Sequence, residues 1–539
     1  MVKVTSTTVQ LGACTVVGLS KPASETRPRP LDVFFGIPYA TAQRFEQPAP
    51  ATLPVTLDAT KPKDGCPGIV AFGDEDCLRV NVTRPAGPAA EGAGWPVLVY
   101  IHGGAFNFGS PLERDMENVV AWSERPILAV SVTYRLGVLG FLAAPGEEGR
   151  KACNLGLRDQ AAALQWVVKN IGAFGGDGAS LTVVGASAGA HSIGHQILSP
   201  ATPPFHKVIL ESGSPTARIV LSTAHQRSVS QHRHLLQYTR CSSLAGLKAL
   251  PVRDLLDAAG EVWGRYDSSV EWPFQPVVDG DGGVIPDLPV KLWEQRVADG
   301  RARKMCVITG FCSDEGISFV PASAKTNADF RRFFTTLIPS LSPADLEALE
   351  ALYPDPVTDP SSPYVHHGRQ GAQFRRLATA YGEFAYIAPV LHTAHILSSA
   401  GAKVYVYEYA EKSPPHDAAM HGAQGPAAER HTLMSGRPGL AETAAALHDR
   451  MTQFVSSPDG DMGDSWPAFV SPGSGEEPTS LDEGKILVFG AARDDKAAGV
   501  VPVTERAMTA EKMRRMRFWW ERMELVQGMG VRVNGSEAL

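Results

Sequence analysis

The stretch LTVVGASAGA, residues 181–190, joins an apolar run to the pattern G-x-S-x-G. Leu181–Val184 predicts a buried strand, and the residues after Ser187 predict a helix. A tight strand-to-helix turn needs residues without bulk on both sides of the serine, so that its hydroxyl stands above the edge of the sheet. The helix that begins there points free N–H groups and the positive end of its dipole at the serine. Ser187 is therefore the candidate nucleophile.

Other apolar runs along the chain alternate with helical patterns such as Leu157–Asn170. The runs are Val97–Ile101, Ile127–Val132, Val208–Leu210, Cys306–Thr309, Val404–Tyr409 and Ile486–Phe489. This alternation predicts an α/β fold with a large, mostly parallel central sheet and helices on both faces. Residues 240–300 and 320–395 are rich in helix formers and lack strand-like runs, so we expect helical insertions that roof a pocket. We expect one domain over residues 1–539, closed by a helix at about Thr504–Gln527.

The composition excludes several classes of function. The chain has 539 residues, of which 44% are hydrophobic, and a net charge of −7. With that charge and no run of Lys or Arg, we expect no nucleic-acid partner. No stretch of 18 apolar residues is free of polar interruptions, so no transmembrane helix is predicted. His and Cys lack metal-ligand spacing, and we expect neither a metal nor a cofactor.

The first twenty residues alternate like a β-hairpin and lack the apolar core of a secretory signal. This predicts either an intracellular protein or the mature form of a secreted one. The seven cysteines leave at least one thiol free in a monomer. The sequence leaves monomer and homodimer open.

A serine hydroxyl becomes a nucleophile only when a base takes its proton and an acid holds that base. In folds with this kind of turn, the chain order is Ser, then Asp or Glu, then His. Asp314 and Glu315 follow the predicted strand at 306–309, and His416 and His421 follow the one at 404–409. Both pairs stand beyond the carboxyl ends of strands, where open α/β sheets place their ligands.

The motif HGGAFNFGS, residues 102–110, follows another buried strand. Taken alone, it is either a strand-terminating turn or a loop whose backbone N–H groups face a negative charge. The serine at 187 favours the second interpretation. Gly104 and Ala105, together with Ala188 after the nucleophile, then offer three N–H donors to one oxyanion.

Several other motifs occur in a fixed order. They are Phe35–Ala40 (FGIPYA), Glu75–Leu78 (EDCL) followed by Asn81-Val82, Asn154–Gln160 (NLGLRDQ), Phe174–Asp177 (FGGD) and Ser212–Ser214 (SGS). With the serine turn, they resemble type-B carboxylesterases, the cholinesterase-like branch of the α/β-hydrolases, and most closely its fungal members. The resemblance covers nearly the whole chain and implies the α/β-hydrolase fold and a serine esterase activity.

The resemblance implies Ser187 as nucleophile, Glu315 as acid and His421 as base, since His421–Gln424 fits the family element H-G-x-E. His416 remains the alternative base and Asp314 the alternative acid. Ser212 matches a serine that supports the triad from behind.

The resemblance also implies a disulfide between Cys66 and Cys77. A second family disulfide is not expected, because the residues after Cys241 offer no partner.

Two departures from the family pattern concern the substrate. The family has Glu directly before the nucleophile, where this chain has Ala186. Residues 67–76 contain no Trp, although cholinesterases carry there the indole that binds choline by cation–π attraction. We therefore predict a small-molecule ester substrate that is neutral or anionic rather than choline-like. The alternatives are an amide or lactone hydrolase with the same triad, and a non-catalytic binding protein of this family.

Overall fold

The structure is a computed structural model that describes residues 3–70, 73–89, 94–217, 219–366, 368–412, 418–431, 436–472, 483–490, 496–499 and 501–527. The strands are β1 (Thr5–Leu11), β2 (Cys14–Lys21), β3 (Leu31–Pro38), β4 (Ala40–Thr41), β5 (Ala49–Pro50), β6 (Thr56–Asp58), β7 (Arg79–Pro85), β8 (Trp95–Ile101), β9 (Leu128–Val132), β10 (Gly176–Ala186), β11 (Lys207–Glu211), β12 (Cys306–Cys312), β13 (Lys403–Tyr409), β14 (Lys485–Phe489) and β15 (Val503–Ala507).

Within the described residues, thirteen of these strands form one sheet in the order β1-β2-β3-β7-β9-β8-β10-β11-β12-β13-β14-β15, with β6 beside β2. The strands from β9 to β14 run parallel, and antiparallel strands close both edges. The predicted fold class, a large and mostly parallel sheet, is thus confirmed. The parallel strands all end at one edge of the sheet, where ligands bind in such folds.

The helices are α1 (Met116–Trp122), α2 (Gly137–Gly140), α3 (Gly146–Lys151), α4 (Leu155–Asn170), α5 (Ala188–Leu198), α6 (Gln226–Thr239), α7 (Leu244–Ala249), α8 (Val252–Tyr266), α9 (Pro289–Ala298), α10 (Asn327–Leu337), α11 (Pro343–Leu352), α12 (Phe374–Gly382), α13 (Ala388–Ser399), α14 (Gln424–Ala428), α15 (Pro438–Ser456), α16 (Ala510–Trp520) and α17 (Met523–Gln527). A π-helical turn, Glu383–Ile387, joins α12 to α13.

Helices cover both faces of the sheet, and the strand side chains alternate between them. Val97 and Val99 of β8 pack into one apolar cluster, whereas Leu98 and Tyr100 pack into another on the opposite face. All four are at most 5% exposed. Because both faces are buried, the strand reads as a continuous apolar run rather than an alternating one.

The segments 240–300 and 320–395 contain the helices from α7 to α13. Two of these helices begin with reciprocal side-chain caps: Thr326 with Asp329 at α10, and Ser342 with Asp345 at α11. Each cap satisfies N–H groups that a helix end otherwise leaves unpaired. The helical character of these segments therefore has local causes as well as packing.

The single helix predicted at about Thr504–Gln527 is wrong at its start. Val503–Ala507 instead forms the edge strand β15, which pairs antiparallel with β14, and the helix begins at Ala510 after the cap Thr509. Pairing with a buried strand here outweighs the local helix propensity of a short polar segment.

Three further findings concern the cysteines and the hydrophobicity of the helices. Cys66 and Cys77 form a disulfide, as the resemblance implied. Cys241 is a free thiol. No helix among the described residues is both long enough and apolar enough to span a bilayer.

Candidate active site

Ser187 lies on a strained turn between β10 and α5. Its φ of 53° and ψ of −123° fall outside the usual regions for a residue with a side chain. The Ser187 N–H donates to the carbonyl oxygen of Glu211 on the neighbouring strand, at 2.8 Å. Gly189 packs so tightly that an added Cβ would lie 2.1 Å from the carbonyl oxygen of Ile101. The small residues of the motif are thus required by the turn itself.

Glu315 and His421 form a buried pair beyond the ends of β12 and β13. Glu315 is 1% exposed, and its Oε2 lies 2.5 Å from Nδ1 of His421. Its other oxygen accepts the backbone N–H of Cys312 at 2.7 Å. A carboxylate that accepts at Nδ1 assigns the proton to that nitrogen and leaves Nε2 of the imidazole able to accept one.

The sequence left Asp314 as the alternative acid and His416 as the alternative base. Asp314 contacts the backbone N–H of Ala419 through Oδ2, at 3.1 Å, and lies 3.9 Å from Arg375. It therefore holds the segment before His421 rather than the imidazole. His416 lies outside the described residues.

The loop after β8 has an unusual backbone conformation. Gly104, Ala105 and Phe106 have φ values of 99°, 51° and 63°, and positive values are uncommon for the two residues with side chains. Asn107 and Gln275 hold the carbonyl oxygen of Ala105 with side-chain N–H groups at 2.8 and 2.9 Å. The loop conformation is thus fixed by neighbours.

His102 precedes this loop and is a structural residue. Its ring stacks on Tyr134 at 4.4 Å, and burial lowers the pKa of His102 to about 4. The imidazole of His102 therefore stays neutral near pH 7.

Ser212 occupies a third tight turn, at the end of β11, with a φ of 52°. Its Oγ accepts a hydrogen bond from Nε2 of Gln424 at 3.0 Å, and the amide oxygen of Gln424 lies 2.7 Å from Sγ of Cys312. Burial raises the pKa of the Cys312 thiol, so it remains a protonated donor. This buried chain joins the segments that carry Glu315 and His421 to the end of β11, where the carbonyl oxygen of Glu211 accepts the N–H of Ser187. Sequence reasoning did not identify Cys312.

Ser187 and His421 line one cavity of about 740 Å³. Gly104, Ala105 and Ala186 line it as well, whereas Ala188 is fully buried at the start of α5. The structure therefore places Ser187, His421, Gly104 and Ala105 around one cavity, with Glu315 behind His421.

Aromatic side chains form one wall of this cavity. The rings of Phe108, Trp263, Trp272 and Phe319 follow one another at centroid distances of 4.9, 5.5 and 5.6 Å. Phe319 then contacts the ring of His421 at 5.3 Å. Two of these residues, Trp263 and Trp272, come from the segment at 240–300, which the sequence predicted to roof the site.

Tyr386 also contacts the imidazole, with its ring 4.3 Å from that of His421. It belongs to the π-helical turn Glu383–Ile387, which inserts one extra residue into a helical turn. No pattern in the sequence indicates such a turn.

A buried ion pair lies beside the nucleophile. The two terminal guanidinium nitrogens of Arg114 contact the carboxylate of Glu211, at 3.1 and 2.5 Å. Glu211 is the register partner of Ala186 across β10 and β11. The family's carboxylate before the nucleophile is thus absent, but a carboxylate stands on the adjacent strand and is paired with an arginine.

Carboxyl groups at the cavity also include Glu113, Asp267 and Glu429. Burial raises the pKa of Glu429, although Arg114 opposes the shift, and burial raises the pKa of Glu113 as well. Asp267 accepts a hydrogen bond from the indole N–H of Trp272 at 3.1 Å. The cavity therefore carries acidic groups that the sequence argument did not include.

The chain is similar to known proteins in both sequence and structure. The carboxylesterase family model matches residues 5–474. The secreted lipase 4 of Gibberella zeae is 31% identical over 396 residues, which cover 71% of this chain and 69% of the lipase. Lipase 5 of Diutina rugosa is 35% identical over 304 residues, or 53% of this chain and 54% of that protein. The acetylcholinesterase of Bungarus fasciatus is 30% identical over 449 residues, or 76% and 70%.

Among solved structures, a PNB esterase superposes with a TM-score of 0.74 at 26% sequence identity. The match covers 95% of this chain and all of the esterase chain. The resemblance to type-B carboxylesterases, with fungal relatives, is thereby confirmed. The chain belongs to the carboxylesterase family, has the α/β-hydrolase fold and is a carboxylic ester hydrolase.

Proposed function

We propose that this protein cleaves carboxylic esters through an acyl-enzyme on Ser187, with His421 as the base and Glu315 as the acid. The observation that carries the proposal is the contact of 2.5 Å between Glu315 and Nδ1 of His421, at a cavity that Ser187 also lines. An imidazole held in this way has its Nε2 available to take the serine proton.

In the first half-reaction, Ser187 Oγ attacks the ester carbonyl while His421 takes its proton. The carbonyl oxygen becomes an oxyanion, to which the backbone N–H groups of Gly104, Ala105 and Ala188 donate. His421 then gives the proton to the leaving alcohol. Water then attacks the acyl-enzyme while His421 takes its proton. His421 returns that proton to Ser187 Oγ as the carboxylic acid leaves.

The test combines labelling with kinetics. A p-nitrophenyl alkylphosphonate should modify the peptide that contains Ser187, seen by mass spectrometry, and Ser187→Ala should lower kcat for p-nitrophenyl butyrate by several powers of ten. His421→Ala should cost as much, and the double variant little more, because the two residues act as one unit. A Ser187→Ala protein that keeps over about a tenth of the activity, or a label on another serine, would refute the assignment.

For the substrate, we propose neutral esters over choline-type esters. Ala186 offers no charge beside Ser187, and the chain has no Trp at 67–76. The carboxyl groups of Glu113 and Glu429 line the same cavity and, where they are ionised, disfavour an anionic substrate, so we place neutral esters ahead of anionic ones. The raised pKa of each of these two groups reduces its charge and so weakens its effect on a cation and on an anion alike.

The comparison that tests this preference uses 3,3-dimethylbutyl acetate, which carries a tert-butyl group, and its isosteric quaternary ammonium analogue. The neutral ester should have the higher kcat/KM in the parent, and its advantage should shrink in Ala186→Glu. Two unit charges about 6 Å apart interact by about 3 kcal/mol at an effective dielectric near 20, and about 1.4 kcal/mol already gives a tenfold preference. A parent enzyme that prefers the cation would contradict the proposal.

A further inference from the structure

The lining of the catalytic cavity includes two chemically different groups of side chains. One group is the aromatic wall described above. The other consists of Tyr100, Arg114 and Glu429, with Glu113 at the exposed rim, and we call these residues the polar face. The ring of Tyr100 lies 5.0 Å from the guanidinium carbon of Arg114, so the polar face is one connected patch.

The polar face is buried, yet its hydrogen-bonding capacity is not used up. Tyr100 and Glu429 are each 4% exposed. Glu429 accepts the backbone N–H of Asp115 through Oε2. Within the described part of the chain, neither its Oε1 nor the hydroxyl of Tyr100 makes a hydrogen bond.

These two atoms also differ from polar atoms that are merely sealed in the core. The hydroxyls of Tyr407 and Tyr409 are fully enclosed and have no partner. The hydroxyl of Tyr100 and Oε1 of Glu429 are not enclosed, and both residues line the cavity. Both atoms are therefore accessible from the cavity, and a polar group of the substrate can take the place of water on them.

The electrostatics of the polar face favour a neutral ligand with hydroxyl groups. Burial raises the pKa of Tyr100, which keeps the phenol a donor, while Oε1 of Glu429 is an acceptor. A hydroxyl group both donates and accepts, so it suits this pair. Arg114 is paired with Glu211, and burial raises the pKa of Glu113 and of Glu429, so the polar face has little excess charge with which to select an ion of either sign.

The position of the polar face relates it to the leaving group. His421 must reach the leaving alcohol oxygen to protonate it. Glu429 and Gly425 lie on the same segment as His421, 421–429, and a Cβ on Gly425 would lie 3.4 Å from a guanidinium nitrogen of Arg114. The segment that must carry the proton to the leaving alcohol thus also forms part of the polar face, which makes the alcohol part of the ester the part that this face would meet.

We propose that the polar face binds hydroxyl groups on the alcohol portion of the substrate, so that the enzyme prefers esters of polyols with free hydroxyls. This inference rests on the proposed function. The natural substrate class is then a partially acylated polyol rather than the ester of a simple alkanol.

The test is the ratio of kcat/KM for 2,3-dihydroxypropyl butyrate to that for propyl butyrate. The parent ratio should be about ten or more, since two hydrogen bonds of ordinary strength give that preference. Tyr100→Phe and Glu429→Gln, which change single atoms, should each lower the ratio about threefold to tenfold. Tyr409→Phe, which removes a phenol outside the cavity, should leave the ratio unchanged.

Each other outcome overturns the inference. A parent ratio near one, or a ratio that neither variant lowers, means that the polar face binds no hydroxyls. A preference for methyl 3,4-dihydroxybutyrate over methyl butyrate, without one for the dihydroxypropyl ester, would put the hydroxyls on the acyl side. A preference for 3-aminopropyl butyrate would make it a cation site. Activity of Ser187→Ala on propyl butyrate distinguishes failure of the proposed function from failure of this site alone.

Discussion

Replacement of Glu315 by Gln is the sharpest single test of the site, because it preserves size and removes one acceptor. The carboxylate of Glu315 accepts two hydrogen bonds, from Nδ1 of His421 at 2.5 Å and from the N–H of Cys312 at 2.7 Å. An amide has one oxygen and one NH₂ group, so it can accept only one of them. The other N–H then faces a donor in a fully buried site.

Both orientations of the amide are costly. If the NH₂ group faces His421, the imidazole must carry its proton on Nε2 and can no longer accept one from Ser187. If the NH₂ group faces Cys312, a buried N–H loses its partner, which costs about 1–3 kcal/mol, and the imidazolium loses its counter-charge. Such a replacement in a serine triad costs about four powers of ten in kcat, equivalent to about 5.5 kcal/mol of transition-state stabilisation.

The assay is kcat for p-nitrophenyl butyrate, with thermal unfolding of each variant to show that it folds. Asp314→Asn is the matched control, since the adjacent carboxylate contacts Ala419 and not the imidazole. It should keep most of the activity. Glu315→Asp, which keeps the charge but is one methylene too short to hold both contacts, should fall between them. A Glu315→Gln enzyme within about tenfold of the parent, beside an inactive Asp314→Asn, would refute the reasoning.

Three further predictions concern stability. Gly189→Ala should lower the yield of folded protein or the Tm, because its Cβ would meet the carbonyl oxygen of Ile101 at 2.1 Å; an unchanged Tm would contradict this packing. Cys66→Ser should lower the free energy of unfolding by at most about 3 kcal/mol, measured by urea denaturation without reductant, because the closed loop is short. Arg114→Met should destabilise by about 3–5 kcal/mol by leaving Glu211 buried and unpaired, whereas Arg114→Met with Glu211→Gln should recover much of that loss. Equal destabilisation of the single and double variants would show that the pairing does not matter.

Much of the fold and of the candidate site is encoded in short stretches of sequence. The apolar run before Gly185 and the small residues around Ser187 predict their own strand and turn, because the chain geometry there is local. The spacing from β12 to Glu315 and from β13 to His421 is also local. The order of motifs then predicts which residues are the acid and the base, while only the structure shows that Glu315 contacts the imidazole and Asp314 contacts Ala419.

Contacts across the sheet are different, because register is not written in one segment. Arg114 and Glu211 are 97 residues apart, and only the alignment of β10 with β11 brings Glu211 beside Ala186. Gln424 contacts Cys312, which belongs to no recognisable sequence motif. The sequence of Val503–Ala507 predicts part of a helix. Pairing with its neighbour β14, and not its own composition, makes this segment a strand.

The π-helical turn at Glu383–Ile387 gives this chain a route to a changed site that ordinary substitution does not. One additional residue in a helix rotates everything before it by about 100° relative to everything after it. Here that rotation brings Tyr386 against the imidazole of His421, while the helix α13 continues normally from Ala388. A single-codon deletion in this turn would therefore exchange the residue beside His421 in one evolutionary step, and libraries of insertions and deletions at 383–387 would explore acyl-ester selectivity that point mutagenesis of the same positions cannot reach.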